Sequence, residues 1–180
     1  IRDQINALTA IGQGYLGLGS QSELEDLKNV LKLTKLPERI EAFDISDIYG
    51  KEATGSMASF YRGIPDKNNY RRFRIKTVET IDDYKMLSEV ITRRYSRLIE
   101  EKLHLPDLIL IDGGKGHLLT AQRALDELGA KIPLISIAKE HENIYIKGRA
   151  KPVRFKSDTP ALNLIRRIRN EAHRFALAYH

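Results

Sequence analysis

Leu105-Pro106-Asp107-Leu108-Ile109-Leu110-Ile111-Asp112-Gly113-Gly114-Lys115-Gly116 decides the fold class. Four consecutive apolar residues, Leu108 to Ile111, lead into an acid and then into glycines. A continuous apolar run of this length between turn signals is the pattern of a strand buried on both faces, typical of parallel sheets. Downstream, Gly116–Leu128 reads as a helix closed by Gly129, and Pro133–Ala138 (PLISIA) as a second buried strand. Strand, helix and strand in this order make an α/β unit. Asp112 then lies at the carboxyl edge of its strand, the edge where such sheets receive ligands.

Upstream, Ile40–Ser46 (IEAFDIS), Thr54–Arg62 (TGSMASFYR) and Tyr70–Lys76 read as three strands. The Pro65-Asp66-Lys67-Asn68-Asn69 cluster supplies turn chemistry between the last two, giving an antiparallel meander. Thr80 is the expected cap of a long helix with Asp82 and Asp83 in its first turn and Tyr84, Leu87, Ile91 and Leu98 on its buried side. Asn143–Lys147 and Pro152–Phe155 around Gly148 suggest a short hairpin. Pro160 opens a last helix whose apolar stripe is Leu164, Ile165, Ile168, Ala172 and Phe175. At the other end, residues 1–19 carry four glycines and read as a leader. A capping-box spacing, Ser20 to Glu23, starts a helix reaching about Leu33 that Pro37 closes off. The expected division is a leader and helix over 1–36, a linker from an upstream domain, and an α/β domain over 37–180. Starting at Ile1, the chain reads as part of a longer protein.

Composition narrows the function. A formal charge of +6 and a pI near 9.5 favour polyanionic partners, and the excess sits in two net-basic segments, 51–80 and 151–180. With no cysteine, a disulfide framework, a thiolate zinc site and a thiol nucleophile are excluded, and a reducing, cytoplasmic home is expected. No run approaches the roughly 20 apolar residues of a membrane span, and no signal peptide is visible.

Asp44, inside a strand that otherwise reads as core, is costly to ionise unless paired, protonated or bound to a cation. Asp112 resembles it. Two such acids on neighbouring strands suit a hard divalent cation. Taken singly, each reads more simply as a loop cap or the partner of an arginine. The turn from Asp112 to Gly116 departs from the GxxxxGK[ST] phosphate loop, so it better serves to free Asp112 for a metal and offer Lys115 to a phosphate. On the last helix Arg166, Arg169, Asn170, His173 and Arg174 form a mostly cationic face, where His173 reads as ligand, proton donor or DNA contact. Arg71 and Arg72, adjacent on a strand, must face opposite ways, so only one of them points outward toward a phosphate backbone.

These blocks, with Phe43-Asp44-Ile45-Ser46, Tyr70-Arg71-Arg72-Phe73, Asp82-Asp83-Tyr84, Arg93-Arg94-Tyr95, Ser136 to Lys139 and Arg167-Ile168-Arg169-Asn170-Glu171-Ala172-His173-Arg174-Phe175, resemble the C-terminal endonuclease domain of UvrC over roughly residues 37–180. UvrC is the incision subunit of bacterial nucleotide excision repair. The resemblance implies a ribonuclease-H-like mixed sheet, three antiparallel strands followed by parallel β/α units, flanked by helices. It implies a cytoplasmic enzyme that cuts damaged double-stranded DNA on the 5′ side of the lesion with Mg²⁺ or Mn²⁺ and works with UvrB. Residue by residue, it makes Asp44 and Asp112 the metal-binding aspartates on adjacent parallel strands, His173 a third metal or catalytic group, and Asp83 an acid implicated in incision. Lys115, Arg71, Arg72, Arg169 and Arg174 are the expected DNA contacts. Two positions depart from the family pattern: Asp47 where His is common, and Asn170 where Asp is usual. The alternatives are a catalytically silent nucleic-acid-binding module of the same fold and, from the glycine turn alone, a nucleotide-binding switch.

Overall fold

The structure, a computed structural model, describes residues 20–46, 53–77 and 80–178. The leader expected over 1–19 and the departure at Asp47 lie outside them. Helix α1 covers 20–31. Strand β1 (Arg39–Ser46) is central: it pairs antiparallel with β2 (Thr54–Tyr61), Asp44 facing Ser56, and parallel with β5 (Leu108–Asp112). β6 (Leu134–Ile137) continues in parallel beyond β5. On the opposite edge β2 carries β3 (Ile64–Pro65) at one end and β4 (Arg71–Arg74) at the other, both antiparallel. The described residues thus make one mixed seven-stranded sheet, with β7 (Ile144–Ile146) closing the far edge antiparallel to β6.

Side chains alternate across a strand, and this divides the core in two. Ile40 and Ala42 of β1, Leu108 and Leu110 of β5, and Ile135 and Ile137 of β6 pack on one face beneath α4 (Pro160–Leu177), with Leu162, Leu164, Ile165, Ile168 and Ala172 above them. Phe43, Ile109, Ile111 and Leu134 face the other way, against α2 (Asp83–Glu100) and α3 (Lys115–Glu127). Helix α1 belongs to the first layer. Leu24 and Leu27 are fully buried there, its Asp26 carboxylate accepts from the Ala161 N–H at 2.8 Å, and Glu23 holds Arg167 through two hydrogen bonds. An anion at the first turn of α4 meets both its orphan N–H groups and its positive dipole end.

On the second face Glu41 is 1% exposed. Its carboxylate accepts from Arg94 at 2.7 Å and from the Tyr95 hydroxyl at 2.9 Å, so the charge is paired as well as hydrogen-bonded.

Three local expectations are corrected. Asp82, rather than Thr80, caps α2, because its Oδ1 reaches the Lys85 N–H and the helix begins at Asp83. Tyr84 is 49% exposed instead of buried: it lies in the first turn, past the sheet, with its ring against His117. The hairpin at 143–155 reduces to a single bridge, Ile144 to Val153, because Ile144 and Ile146 gain more burial by extending the sheet along β6. Pro160 opens α4 as expected, with the Thr159 side chain as cap. Among the described residues no helix is long and apolar enough to cross a membrane.

Candidate active site

Register sets the site. Phe43 is level with Ile111 across the parallel β1–β5 pair, so the next residues, Asp44 and Asp112, emerge side by side on the α4 face, at the last residue of β5 and two residues before the end of β1. α4 crosses above with its apolar stripe down, and the turn carrying Ala172 also carries His173. The His173 Nδ1 lies 2.9 Å from Asp44 Oδ2. One donor atom from each of Asp44, Asp112 and His173 lies within 4.8 Å of the other two.

The surroundings favour a cation between them. Among the described residues Asp112 Oδ1 is buried with no hydrogen-bond partner, an unusual and costly state for a carboxylate oxygen. Burial pushes the Asp112 carboxyl upward and the neighbouring Asp44 charge pushes it further, while Lys139, Arg169 and His173 act in the opposite direction. Oxygen donors, one of them unsatisfied, beside an imidazole fit a divalent metal ion.

Two cavities meet here. One, of about 390 Å³, runs over the carboxyl ends of β1 and β5 toward α2, with Asp83, His117 and Glu140 among its walls. The other, of about 300 Å³, lies under α4 between Asp112, Lys139, Arg169, Asn170 and His173. Asp83 therefore borders the first cavity from the first turn of α2, whereas Lys115 is exposed on α3 and borders neither.

The arginines divide by environment. Arg71 is exposed and, among the described residues, donates to the nearby Asn68 and Tyr70 carbonyls. Arg72 points the other way: its guanidinium lies 3.8 Å from the centroid of the Phe175 ring and donates to the Phe175 carbonyl, clamping the end of α4. Arg174 is bonded to Glu171, which also accepts from the Tyr70 hydroxyl. Arg169 bonds to Asn170 at the rim of the second cavity.

The glycine turn has a steric cause that its spacing did not disclose. A Cβ on Gly113 would lie 2.5 Å from the His117 ring, and one on Gly116 would collide with the Tyr84 hydroxyl. Close approach of these two rings, whose centroids are 4.9 Å apart, is what demands glycine. His117 Nδ1 accepts the Gly114 N–H and caps α3. Sequence reasoning missed His117, Glu140 and Lys139. Lys139 carried a usable signal, since it follows a buried parallel strand just as the Asp112 turn follows β5.

The family model described as the UvrC RNase H endonuclease domain matches residues 28–177. The chain belongs to that family. Its fold is ribonuclease-H-like, a mixed sheet flanked by four helices. UvrABC system protein C of the archaeon Methanococcus maripaludis is 54% identical over 161 residues, 89% of this chain and 31% of that protein. The protein of the same name from the bacterium Dehalococcoides mccartyi is 49% identical over 163 residues, 87% of this chain and 27% of the relative. The chain thus spans about a third or less of these relatives, which come from archaea as well as bacteria. Among solved structures, Ciona intestinalis endonuclease V in complex with a 23mer DNA is similar at 15% identity and a TM-score of 0.43, over 67% of this chain and 56% of that one.

Proposed function

We propose that this chain is the nuclease of a nucleotide-excision-repair incision protein, a Mg²⁺- or Mn²⁺-dependent DNA endonuclease that hydrolyses a phosphodiester on the 5′ side of a lesion. The observation that carries the reading is the convergence of Asp44, Asp112 and His173 around a buried, unpartnered Asp112 oxygen. Asp44 and Asp112 would hold the cation through carboxylate oxygens, and His173 stands beside them as a third donor or as the proton-transfer group. When bound, such an ion activates water at neutral pH and offsets charge on the reacting phosphate. Asp44 fixes the His173 ring through Nδ1, which leaves Nε2 to exchange a proton with the departing 3′ oxygen. Asp83, across the cavity, orients groups entering from the α2 side. Arg71, Lys115 and Arg169 contact the phosphate backbone, while Arg72 and Arg174 act by holding α4. Damaged double-stranded DNA is the substrate, and UvrB the partner of the full-length protein, in the cytoplasm.

Nicking of a lesion-bearing duplex, measured with Mg²⁺, with Mn²⁺ and with EDTA, tests the proposal. Incision should require the metal and fall 5′ of the lesion. Binding without any incision would favour the silent DNA-binding module instead.

His173→Ala should lower nicking by about 100-fold or more. Its side chain is half exposed, so melting should move by about 2 °C or less. Wild-type nicking by the variant would remove His173 from the site.

Arg71→Ala and Arg72→Ala should differ in kind. The first should weaken DNA binding at unchanged melting temperature. The second should cost about 1–2 kcal/mol of stability through the lost ring contact and helix-end hydrogen bond. Thermal melts and DNA titrations on both variants check this, and equal losses of binding at equal stability would contradict it.

A further inference from the structure

Asp112 and Lys139 are the two residues that line both cavities. Both therefore border a strand that passes from one cavity to the other. We infer that Lys139 is a further catalytic residue whose ammonium binds a non-bridging oxygen of the scissile phosphodiester as it passes Asp112. The inference rests on the endonuclease reading of the same site and assigns to it the group that receives the phosphate.

Chemistry favours such a group. Attack on phosphorus moves negative charge onto oxygens beside two carboxylates, and a cation next to those oxygens lowers the barrier. The ammonium keeps its proton throughout, so its contribution is electrostatic.

The backbone that carries Lys139 is held in place, while its side chain is exposed at the cavity mouth. Lys139 follows Ala138, whose N–H donates to the Asn143 carbonyl, in a tight turn where His141 and Glu142 have φ of 58° and 49°. Glu142 grips Arg166 at 2.6 Å, tying this turn to the helix that carries Arg169 and His173. Competing cations fit less well. Lys115 borders neither cavity, and Arg169 borders only the second and is bonded to Asn170.

The test compares Lys139→Met and Lys139→Arg with Lys131→Met, which removes the same charge from an exposed position before the amino end of β6. At saturating Mn²⁺, Lys139→Met should lower kcat for nicking by about 100-fold with KM little changed. Arg should restore part of it, and Lys131→Met should behave as wild type. A second readout uses no metal: NMR titration with the dinucleotide thymidylyl-(3′→5′)-thymidine. Wild type should show shifts at Asp112 and Lys139, and Lys139→Met should bind about fivefold more weakly. If Lys139→Met nicks and binds the dinucleotide as Lys131→Met does, the assignment is overturned. If the wild-type chain binds the dinucleotide through Lys139 yet never nicks DNA, the endonuclease reading fails while the phosphate contact stands.

Discussion

Asp112→Asn is expected to abolish metal-dependent nicking while leaving the fold and DNA binding intact. The substitution keeps shape and hydrogen-bonding capacity and removes the charge that a hard cation demands. Its effect on stability separates a ligand from a structural acid. Burial and the Asp44 charge raise the Asp112 carboxyl above its unfolded value. The sign follows: this group is least costly below its unfolded pKa, and stability is lost as pH rises through the higher, folded pKa. At pH 7 the metal-free Asn variant should therefore melt at or above wild type, and the difference should close below about pH 4. Adding Mn²⁺ should raise the melting temperature of wild type, because a ligand bound only to the native state stabilises it by mass action, and should do nothing for the variant. DNA affinity should hold or tighten, with one negative charge fewer facing phosphate. An active, destabilised Asn variant would mean that Asp112 is a structural cap.

Glu41→Ala should give the largest loss of stability, roughly 3–5 kcal/mol, or a fall in melting temperature on the order of 10 °C for a domain of this size. The reason is what it leaves behind. Arg94 has a side chain only 13% exposed and Tyr95 is fully buried, and both donate to the Glu41 carboxylate. Removing the acceptor strands a guanidinium and a hydroxyl in the α2 layer, with a cavity beside them. Glu41→Leu combined with Arg94→Met should recover much of the loss, since replacing both charges by apolar groups leaves nothing unpaired. Calorimetry on the single and double variants decides it. A drop of 2 °C or less in Glu41→Ala would show that solvent reaches Arg94 and that the pair contributes little.

Much of this was legible in sequence, and the legible part is local. Each of Leu108–Ile111 and Leu134–Ile137 is a short apolar run between turn signals, so its burial in a sheet follows from composition alone. The stripe Leu164, Ile165, Ile168, Ala172 sets which side of α4 faces the sheet, and His173, next in the chain to Ala172, is thereby turned toward the rim of that contact. Asp44 and Asp112 announced themselves as acids where core was expected.

What the chain did not declare depends on partners far apart along it. Glu41 sits three residues before Asp44 in the same strand, yet points to the opposite face, and its role exists only because α2 brings Arg94 and Tyr95 over it. Arg72 and Arg174 read as DNA contacts because their charge is visible and Phe175 and Glu171 as their partners are not. Lys115 drew attention by standing among glycines, but Gly113 and Gly116 serve the His117 and Tyr84 rings, and Lys139, just past the next parallel strand, is the lysine that lines a cavity with Asp112. Sequence by itself determined the main strands and helices, most of their buried faces and the family, because periodicity and turn chemistry act between near neighbours. Only the tertiary structure decided which charges meet, because the Asp44–His173 contact closes a separation of 129 residues through sheet register and helix docking, and neither is encoded in any local pattern.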